Sequence, residues 1–456
     1  MKKSLLWAIV LMTSVSSLLP SCMSDSDKET TATSDCAITN MVLGTLRRTV
    51  TTKRWDGRDT TYVTNMYAGH YALLVDQLNH EIYNPDSLPQ GTDVTKVTFQ
   101  SIAADGGVAY RTLSGNDTLY STSDSIDFTE PRLFTCYAYD GEAKQTYRVH
   151  VNVHKVNPEA MAWQTLGTVE ALKDVTSQKL LVNGTTVYIF ARNASGAFVL
   201  TSPAADGTTW TRTPLTDLGT MEPRNVVVFG GQFYALGNSQ LWQSADGKSW
   251  TAVASDAVPQ ILCGASRENL YGVKDGKLYA SADAREWIAE PLDDDGNLLP
   301  LYDYAMAYMP MTFNPQFEYL LLGGRDGNGQ AALWKRTVDL TGQTDDVWAY
   351  YPASEELSHP FPALSEGTLL AYDTKVLTIG CEGDSVSLFS VSEDAGRSWL
   401  VDRSKYLHPS GLKATSLGCG VDSDQYIWLS CGGTGTVLKG RLNRLGFKTE
   451  QMQFTE

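Results

Sequence analysis

The sequence predicts an all-β protein in two parts, on the strength of two patterns. From residue 36 to about 156, short alternating runs are separated by turn residues every eight to twelve positions, which is typical of a β-sandwich. From Trp163 onward, tryptophans that follow a polar turn recur at spacings of 47, 40, 37, 61 and 51 residues, close to the length of a four-stranded propeller blade. We therefore expect a β-sandwich followed by a six-bladed β-propeller over residues 160–456. The six tryptophans are Trp163, Trp210, Trp250, Trp287, Trp348 and Trp399.

The sandwich is predicted to end in a β-hairpin. Residues 134–139 and 147–154 alternate in polarity on either side of the turn Asp140-Gly141. Because successive side chains of a strand point to opposite faces, Tyr147 and Val149 fall on one face and Arg148 on the other. The apolar face is expected to cover a core.

The propeller repeat has a recurring turn. Ser392-x-Asp394-x-Gly396-x-x-Trp399 is the fullest copy, and shorter copies precede Trp250, Trp287 and Trp210. An Asp carboxylate can accept backbone N–H groups across such a bend, and glycine tolerates positive φ. The acids of the turn are therefore expected to be structural. The last repeat is one strand short, and residues 163–166 have the form of that strand, so the ring is expected to close between the two ends of this region.

The chain begins as an exported protein would. Lys2 and Lys3 precede an apolar run over 5–12 that is too short to span a bilayer, which predicts a signal peptide at residues 1–21. Leu19-Pro20-Ser21-Cys22 resembles the lipobox of bacterial lipoproteins, which implies acylation of Cys22. Residues 22–35 are polar and acidic and are expected to form a tether. They resemble the export signal that places Bacteroides-type lipoproteins on the outer face of the outer membrane.

The charge of the chain argues against one class of binding partner. Removal of residues 1–21 would leave 34 basic residues against 52 acidic ones, a formal net charge of −18. Basic residues are scattered along the chain, whereas binding to a phosphate backbone needs them clustered, so nucleic acid is not expected as a partner. A disulfide between Cys36 and Cys136 is compatible with an oxidising compartment, and burial as free thiols is equally compatible.

The sandwich carries a family resemblance. Asn84-x-Asp86-Ser87-Leu88-Pro89-x-Gly91-Thr92, with the later Tyr139-Asp140-Gly141 and the alternating 147–153 run, is similar to the N-terminal immunoglobulin-like domain of Bacteroides-type lipoproteins of uncharacterised function. In that family the domain precedes a propeller with sialidase-like Asp-box turns. The resemblance implies an immunoglobulin-like domain over 36–156 and implies no activity.

The sequence shows incomplete patterns for two kinds of site, a sialidase active site and a calcium loop. Sialidases bind a substrate carboxylate with three arginines, and Arg224 in Glu222-Pro223-Arg224-Asn225 is the nearest match to that pattern, although a surface or blade-entry arginine explains it better. The acidic run 293–295 suits a calcium loop but lacks the spaced ligands of one, so a solvated turn is preferred. No catalytic set, metal site or cofactor site is therefore predicted.

Ligands of propellers usually bind at loops on one mouth, and aromatic residues beside polar groups suit the stacking of sugars. Such residues occur between the predicted blades, where they suit blade packing equally well. The candidates are Tyr302, Tyr304, His359, Tyr406 and His408. The sequence thus predicts a lipid-anchored, outward-facing outer-membrane lipoprotein that binds a ligand without catalysis. A glycan and another surface protein are the partners left open, and a divergent glycan-acting hydrolase is the alternative.

Overall fold

The computed structural model describes residues 33–53, 58–344, 346–352 and 359–447. These residues form two compact units, one up to Lys155 and the other from Val156 onward. Strands dominate both units, and the only helices among the described residues are short 3-10 turns, so the predicted all-β class is confirmed. No helix in the described part of the chain combines the length and the hydropathy of a membrane span. Cys22 and the predicted signal peptide lie outside the described residues.

The first unit contains ten strands in three sheets, counted over its described residues. Strands β5 and β10 are parallel neighbours, and β10 is antiparallel to β9, which forms the predicted hairpin. The six-stranded sheet has the order β4-β5-β10-β9-β7-β8, while β1 pairs with β6 and β2 with β3. The strands are β1 (Ile38–Leu43), β2 (Thr45–Lys53), β3 (Asp59–Tyr67), β4 (Leu74–Asp76), β5 (Glu81–Tyr83), β6 (Phe99–Ala104), β7 (Gly107–Arg111), β8 (Asp117–Leu119), β9 (Arg132–Tyr137) and β10 (Lys144–His150).

Alternation along β10 builds the core of the first unit. Tyr147 and Val149 are buried, and they pack with Phe134 on β9. The Tyr147 hydroxyl donates to Gln77 Oε1 at 2.7 Å, so the buried ring keeps a partner for its polar group. Cys36 and Cys136 are free thiols in this core, and burial raises the pKa of Cys136.

The second unit contains 25 strands among its described residues, arranged mostly in four-stranded antiparallel sheets. They are β11 (Met161–Thr168), β12 (Ser177–Asn183), β13 (Thr186–Asn193), β14 (Gly196–Pro203), β15 (Thr211–Pro214), β16 (Val227–Phe229), β17 (Gln232–Gly237), β18 (Gln240–Ser244), β19 (Thr251–Ala252), β20 (Ile261–Ala265), β21 (Leu270–Lys274), β22 (Lys277–Ser281), β23 (Ile288–Ala289), β24 (Tyr302–Pro310), β25 (Phe317–Arg325), β26 (Ala331–Asp339), β27 (Ala349–Pro352), β28 (Ser365–Tyr372), β29 (Lys375–Glu382), β30 (Ser385–Val386), β31 (Ser390–Ser392), β32 (Leu400–Val401), β33 (Leu417–Val421), β34 (Ile427–Cys431) and β35 (Thr436–Leu442).

The sheets follow one another along the chain as β12–β15, β16–β19, β20–β23, β24–β27 and β28–β32. A further sheet has the order β11-β35-β34-β33, so the first strand of the unit pairs with one of its last. The first strands of the sheets contact each other in a closed ring, in the order β12, β16, β20, β24, β28, β33 and back to β12. Pairing of β11 with β35 joins the first and the last described strands of the unit in one sheet.

The recurrent turns are held by their acids. Asp246 Oδ1 accepts backbone N–H groups of Lys248 and Ser249, both at 2.8 Å. Asp283 Oδ1 accepts those of Arg285 and Glu286 at 2.8 and 3.0 Å. These bonds favour the ionised form, so the pKa of each carboxyl lies below its usual value. Each acid therefore closes its turn.

The repeat tryptophans stand just before the fourth strands, with Trp163 the exception inside β11. Trp250, Trp287, Trp348 and Trp399 are buried, and the Trp399 indole N–H donates to Gly396 O at 3.0 Å. Their burial is the physical reason for the repeat, because a large ring fills the space that adjacent twisted sheets leave.

Candidate functional site

The ring of first strands in the second unit surrounds a cavity of about 420 Å³, which we call the channel. Strands β12, β16, β20, β24, β28 and β33 all contribute to its wall. The lining is Lys179, Leu180, Leu181, Val182, Val227, Val228, Cys263, Gly264, Ala265, Ala305, Met306, Tyr308, Thr368, Leu369, Leu370, Cys419, Gly420 and Val421. Most of these side chains are apolar, but the lining also exposes polar atoms, so the wall is mixed in polarity.

Lys179 is the one charged residue in this lining. Its ammonium group donates to the backbone oxygen of Arg224 at 2.9 Å. Burial lowers the pKa of Lys179 to about 7, and the positive charge of Arg224 acts in the same direction. The amine is therefore largely desolvated, although part of the side chain stays accessible from the channel.

Two acidic residues lie where first strands begin, at one mouth of the channel. Asp303 in β24 and Glu366 in β28 have positive φ values of 50° and 54°. At both places the strand register is interrupted by a bulge, between Tyr302 and Ala305 and between Ser365 and Thr368. Bulges redirect side chains at strand ends, and non-glycine residues with positive φ are uncommon and often functional.

Arg224 joins these two acids. It lies in a 3-10 turn, Pro223–Asn225, that leads into β16. Its guanidinium donates to Glu366 Oε2 at 3.0 Å and to the Gly367 oxygen at 3.1 Å, and it lies 3.9 Å from Asp303 Oδ1. All three side chains are at least four-fifths buried. We name Arg224, Asp303 and Glu366 the mouth triad.

Further bonds fix the mouth triad from neighbouring sheets. Arg325 Nε donates to Asp303 Oδ2 at 2.6 Å, and the Glu366 backbone N–H donates to Asp303 Oδ1 at 2.8 Å. The Leu417 N–H donates to Glu366 Oε2 at 3.4 Å. Burial raises the pKa of Glu366, with Arg224 opposing the shift. The ionic groups at this mouth are thus held rigidly by four sheets.

Two of the five ligand-binding candidates from the sequence, Tyr302 and Tyr304, lie in the part of β24 that contains Asp303. Tyr302 is 55% exposed and directly precedes Asp303, so it stands at the mouth. Tyr304 is buried, and its hydroxyl donates to Asn225 Oδ1 at 2.6 Å, which makes it a packing residue beneath the same mouth. Burial raises the pKa of Tyr304 strongly.

The other predicted residues lie elsewhere. Tyr406 is buried, and its hydroxyl donates to Asp373 Oδ2 at 2.6 Å, beside the end of β28 opposite to Glu366. The ring of His408 is bound to the oxygens of Ser387 and Pro409 at 2.8 and 2.9 Å. His359 is exposed, and its backbone oxygen accepts from the Trp399 backbone N–H at 3.0 Å. None of these three lines the channel.

Sequence reasoning missed Lys179, Asp303 and Glu366, and it assigned Arg224 to a surface or blade-entry role. Arg224 is not on the surface, since its side chain is 12% exposed. The acidic run 293–295 serves as a turn, in which Asp295 accepts the Asn297 N–H at 3.0 Å. Within the described residues, no group of three or more His, Cys, Asp or Glu side chains could hold a metal ion.

Solved structures with similar architecture include three of different origin. A carbohydrate-active enzyme of family AA12 from Trichoderma reesei is 10% identical, with 62% of this chain and 96% of that chain covered and a TM-score of 0.36. The fucose-specific lectin from Aleuria aurantia is 11% identical, with 59% of this chain and 91% of that chain covered and a TM-score of 0.32. PorZ, a surface component of the type-IX secretion system of Porphyromonas gingivalis, is 9% identical, with 88% of this chain and 62% of that chain covered and a TM-score of 0.32.

No curated protein matches the chain. A family model described as the DUF6242 N-terminal domain, a domain of unknown function, matches residues 41–151. A second, described as the DUF6242 beta propeller domain, matches residues 157–450. The ring of sheets and its channel therefore lie within a β-propeller domain, and the chain belongs to the DUF6242 family.

Proposed function

We propose that this protein is a surface-anchored, non-enzymatic binding protein that holds a glycan at the propeller mouth marked by the mouth triad. In this proposal Cys22 carries the lipid, and residues 22–35 form the tether. The first unit is an immunoglobulin-like spacer, and the six sheets of the second unit are six blades. The protein would lie in the outer membrane and face the cell exterior.

One observation carries the binding role. Tyr302 has an exposed aromatic ring and directly precedes Asp303 in the chain, and Asp303 is fixed by Arg325. Sugars are bound by an apolar ring face together with positioned polar groups, and rigid polar groups lose little entropy when a ligand binds. The mouth supplies both features.

The pairing of the acids supports binding over catalysis. Glu366 is hydrogen-bonded to Arg224, and Asp303 to Arg325. A general acid must carry a proton that it can give to the leaving group, whereas a guanidinium partner favours the ionised carboxylate. Arg224 opposes the burial that raises the pKa of Glu366, and in this proposal the two acids accept hydrogen bonds from sugar hydroxyls.

A divergent glycan-acting hydrolase is the second candidate, and one observation favours it. The pKa of Glu366 is raised by burial, and Asp303 lies close enough for both acids to contact Arg224. A pair of carboxyl groups at the substrate is typical of glycosidases.

A glycan array tests both candidates on the soluble form, residues 36–456, when it is read for binding and for cleavage. Binding without cleavage is the expected result. Cleavage that disappears in Glu366→Gln would establish the hydrolase instead. Neither binding nor cleavage would contradict both and leave another surface protein as the partner.

A further inference from the structure

Lys179 is an unusual lysine for a channel wall. Among the residues that line the cavity it is the one charged residue, and the walls around it are formed by side chains such as Leu181, Met306 and Leu370. Its amine reaches the backbone oxygen of Arg224 at 2.9 Å, and no carboxylate of the described residues lies within ion-pair distance of it. Most lysines in such surroundings would be expected to hold an acidic partner.

The described groups near the Lys179 amine do not supply a negative charge to pair with it. Arg224 is cationic, and Cys263 is a buried thiol with a pKa raised by burial to about 12. The acids of the mouth triad are bound to guanidinium groups. Desolvation and a neighbouring cation are the two conditions that make a lysine amine nucleophilic near neutral pH.

We propose that Lys179 captures a ligand that carries an aldehyde or ketone, by forming an imine inside the channel. The ligand class is a small carbonyl compound, because the cavity has a volume of about 420 Å³ and a wall of mixed polarity. This goes beyond the proposed glycan role and does not depend on it, since the amine and the cavity are separate from Tyr302.

The step balances without a cofactor. The nitrogen lone pair of Lys179 attacks the carbonyl carbon, and the carbonyl π electrons move to oxygen, which takes up a proton as the amine loses one. The carbinolamine then loses its hydroxyl group and its remaining N–H proton as water, and the nitrogen lone pair forms the C=N bond that replaces the C=O bond. Water reverses the step, so the capture is reversible until a reductant adds hydride to the imine carbon.

The experiment is reductive trapping on the full-length chain in detergent, with butanal as the probe and cyanoborohydride as the hydride donor. Peptide mass spectrometry compares the labelling of Lys179 with that of Lys277, an exposed lysine of the same domain. An ordinary lysine is neutral in roughly one molecule in 2,500 at pH 7. Lys179 is therefore expected to label at least about tenfold faster at pH 7, with a rate that levels off above about pH 8.

The proposal would be overturned if Lys179 labelled no faster than Lys277. It would also be overturned if the labelling rate of Lys179 kept rising with pH in parallel with that of Lys277. Lys179 would then be only a structural donor to Arg224. The variant Lys179→Arg serves as a control for the labelling reaction, because Lys277 in this variant should label at the same rate as in the wild type. The glycan array is a separate measurement. A chain that binds glycans without labelling Lys179 refutes this inference alone, and one that labels Lys179 without binding glycans refutes the proposed function alone.

Discussion

The carboxylate of Glu366 accepts a hydrogen bond from the Arg224 guanidinium at 3.0 Å, although 142 positions separate the two residues in the chain. Arg224 leads into β16, and Glu366 lies at the start of β28, so the bond joins two sheets that are not neighbours in the ring. It therefore crosses the mouth of the channel. A bond in this place fixes the opening and the groups that surround it.

Arg224→Gln should destabilise the propeller by about 3 kcal/mol, because the buried Glu366 carboxyl group loses its cationic partner, whereas Asp303 keeps Arg325. Denaturant unfolding followed by tryptophan fluorescence measures this. The matched control is Lys413→Gln, which breaks the exposed pair with Asp384 and should cost under about 1 kcal/mol. Equal losses in the two variants would contradict the structural role of the triad.

Asp246→Ala should destabilise the propeller by about 1–2 kcal/mol, because two backbone N–H groups lose their acceptor. The pKa of Asp246 is lowered, so its ionised form stabilises the fold above pH 3.8 and this contribution is lost as the pH falls through the folded-state pKa. The difference in unfolding free energy between the wild type and Asp246→Ala should therefore become smaller at acidic pH. Asp256→Ala, at an exposed position, is the control and should have little effect.

Lys179 should give the stability of the propeller a distinct pH dependence. With a folded-state pKa of about 7 against 10.5 for the free group, the unfolded state binds more protons between these values. The unfolding free energy of the wild type should therefore rise with pH relative to Lys179→Met, by at most about 1.4 kcal/mol per pH unit. Lys277→Met, at an exposed position, is the matched control. An unfolding free energy difference between wild type and Lys179→Met that does not change with pH would refute the lowered pKa.

Cys22→Ala should release the protein from membranes, since acyl chains on this cysteine would provide the anchor. Fractionation of cells that express each form, followed by immunoblotting, measures the membrane-bound share. The wild type is expected in the membrane fraction and the variant in the soluble one. Retention of the variant in the membrane would rule out Cys22 as the anchor.

The all-β fold could be predicted from the sequence because its signals are local. Trp399 and Asp394 belong to one turn, and the acid accepts the Ser398 N–H at 2.8 Å within that turn. Likewise, Tyr147 and Val149 are both buried, as the alternation in their strand predicts. Signals of this kind need only a few neighbouring residues.

The candidate site could not be predicted to the same degree, because its members come from distant sheets. Tyr302 is visible in the sequence as an aromatic residue beside a polar one. Asp303 and Glu366 depend on bulges that no local residue pattern marks, and Lys179 is notable only for the apolar channel around it. The place of Tyr406 depends on the turn after Asp402, which directs its side chain to Asp373.

Glycan binding at the mouth is tested by comparing wild type, Tyr302→Ala and Phe313→Ala on the same array. Phe313 is 97% exposed in the turn after β24, whereas Tyr302 begins that strand, so the two rings mark its opposite ends. Tyr302→Ala is expected to bind about tenfold more weakly, a loss of about 1.4 kcal/mol, and Phe313→Ala is expected to bind as the wild type does. Unchanged binding in Tyr302→Ala, or no glycan bound by the wild type, would contradict glycan binding at the mouth.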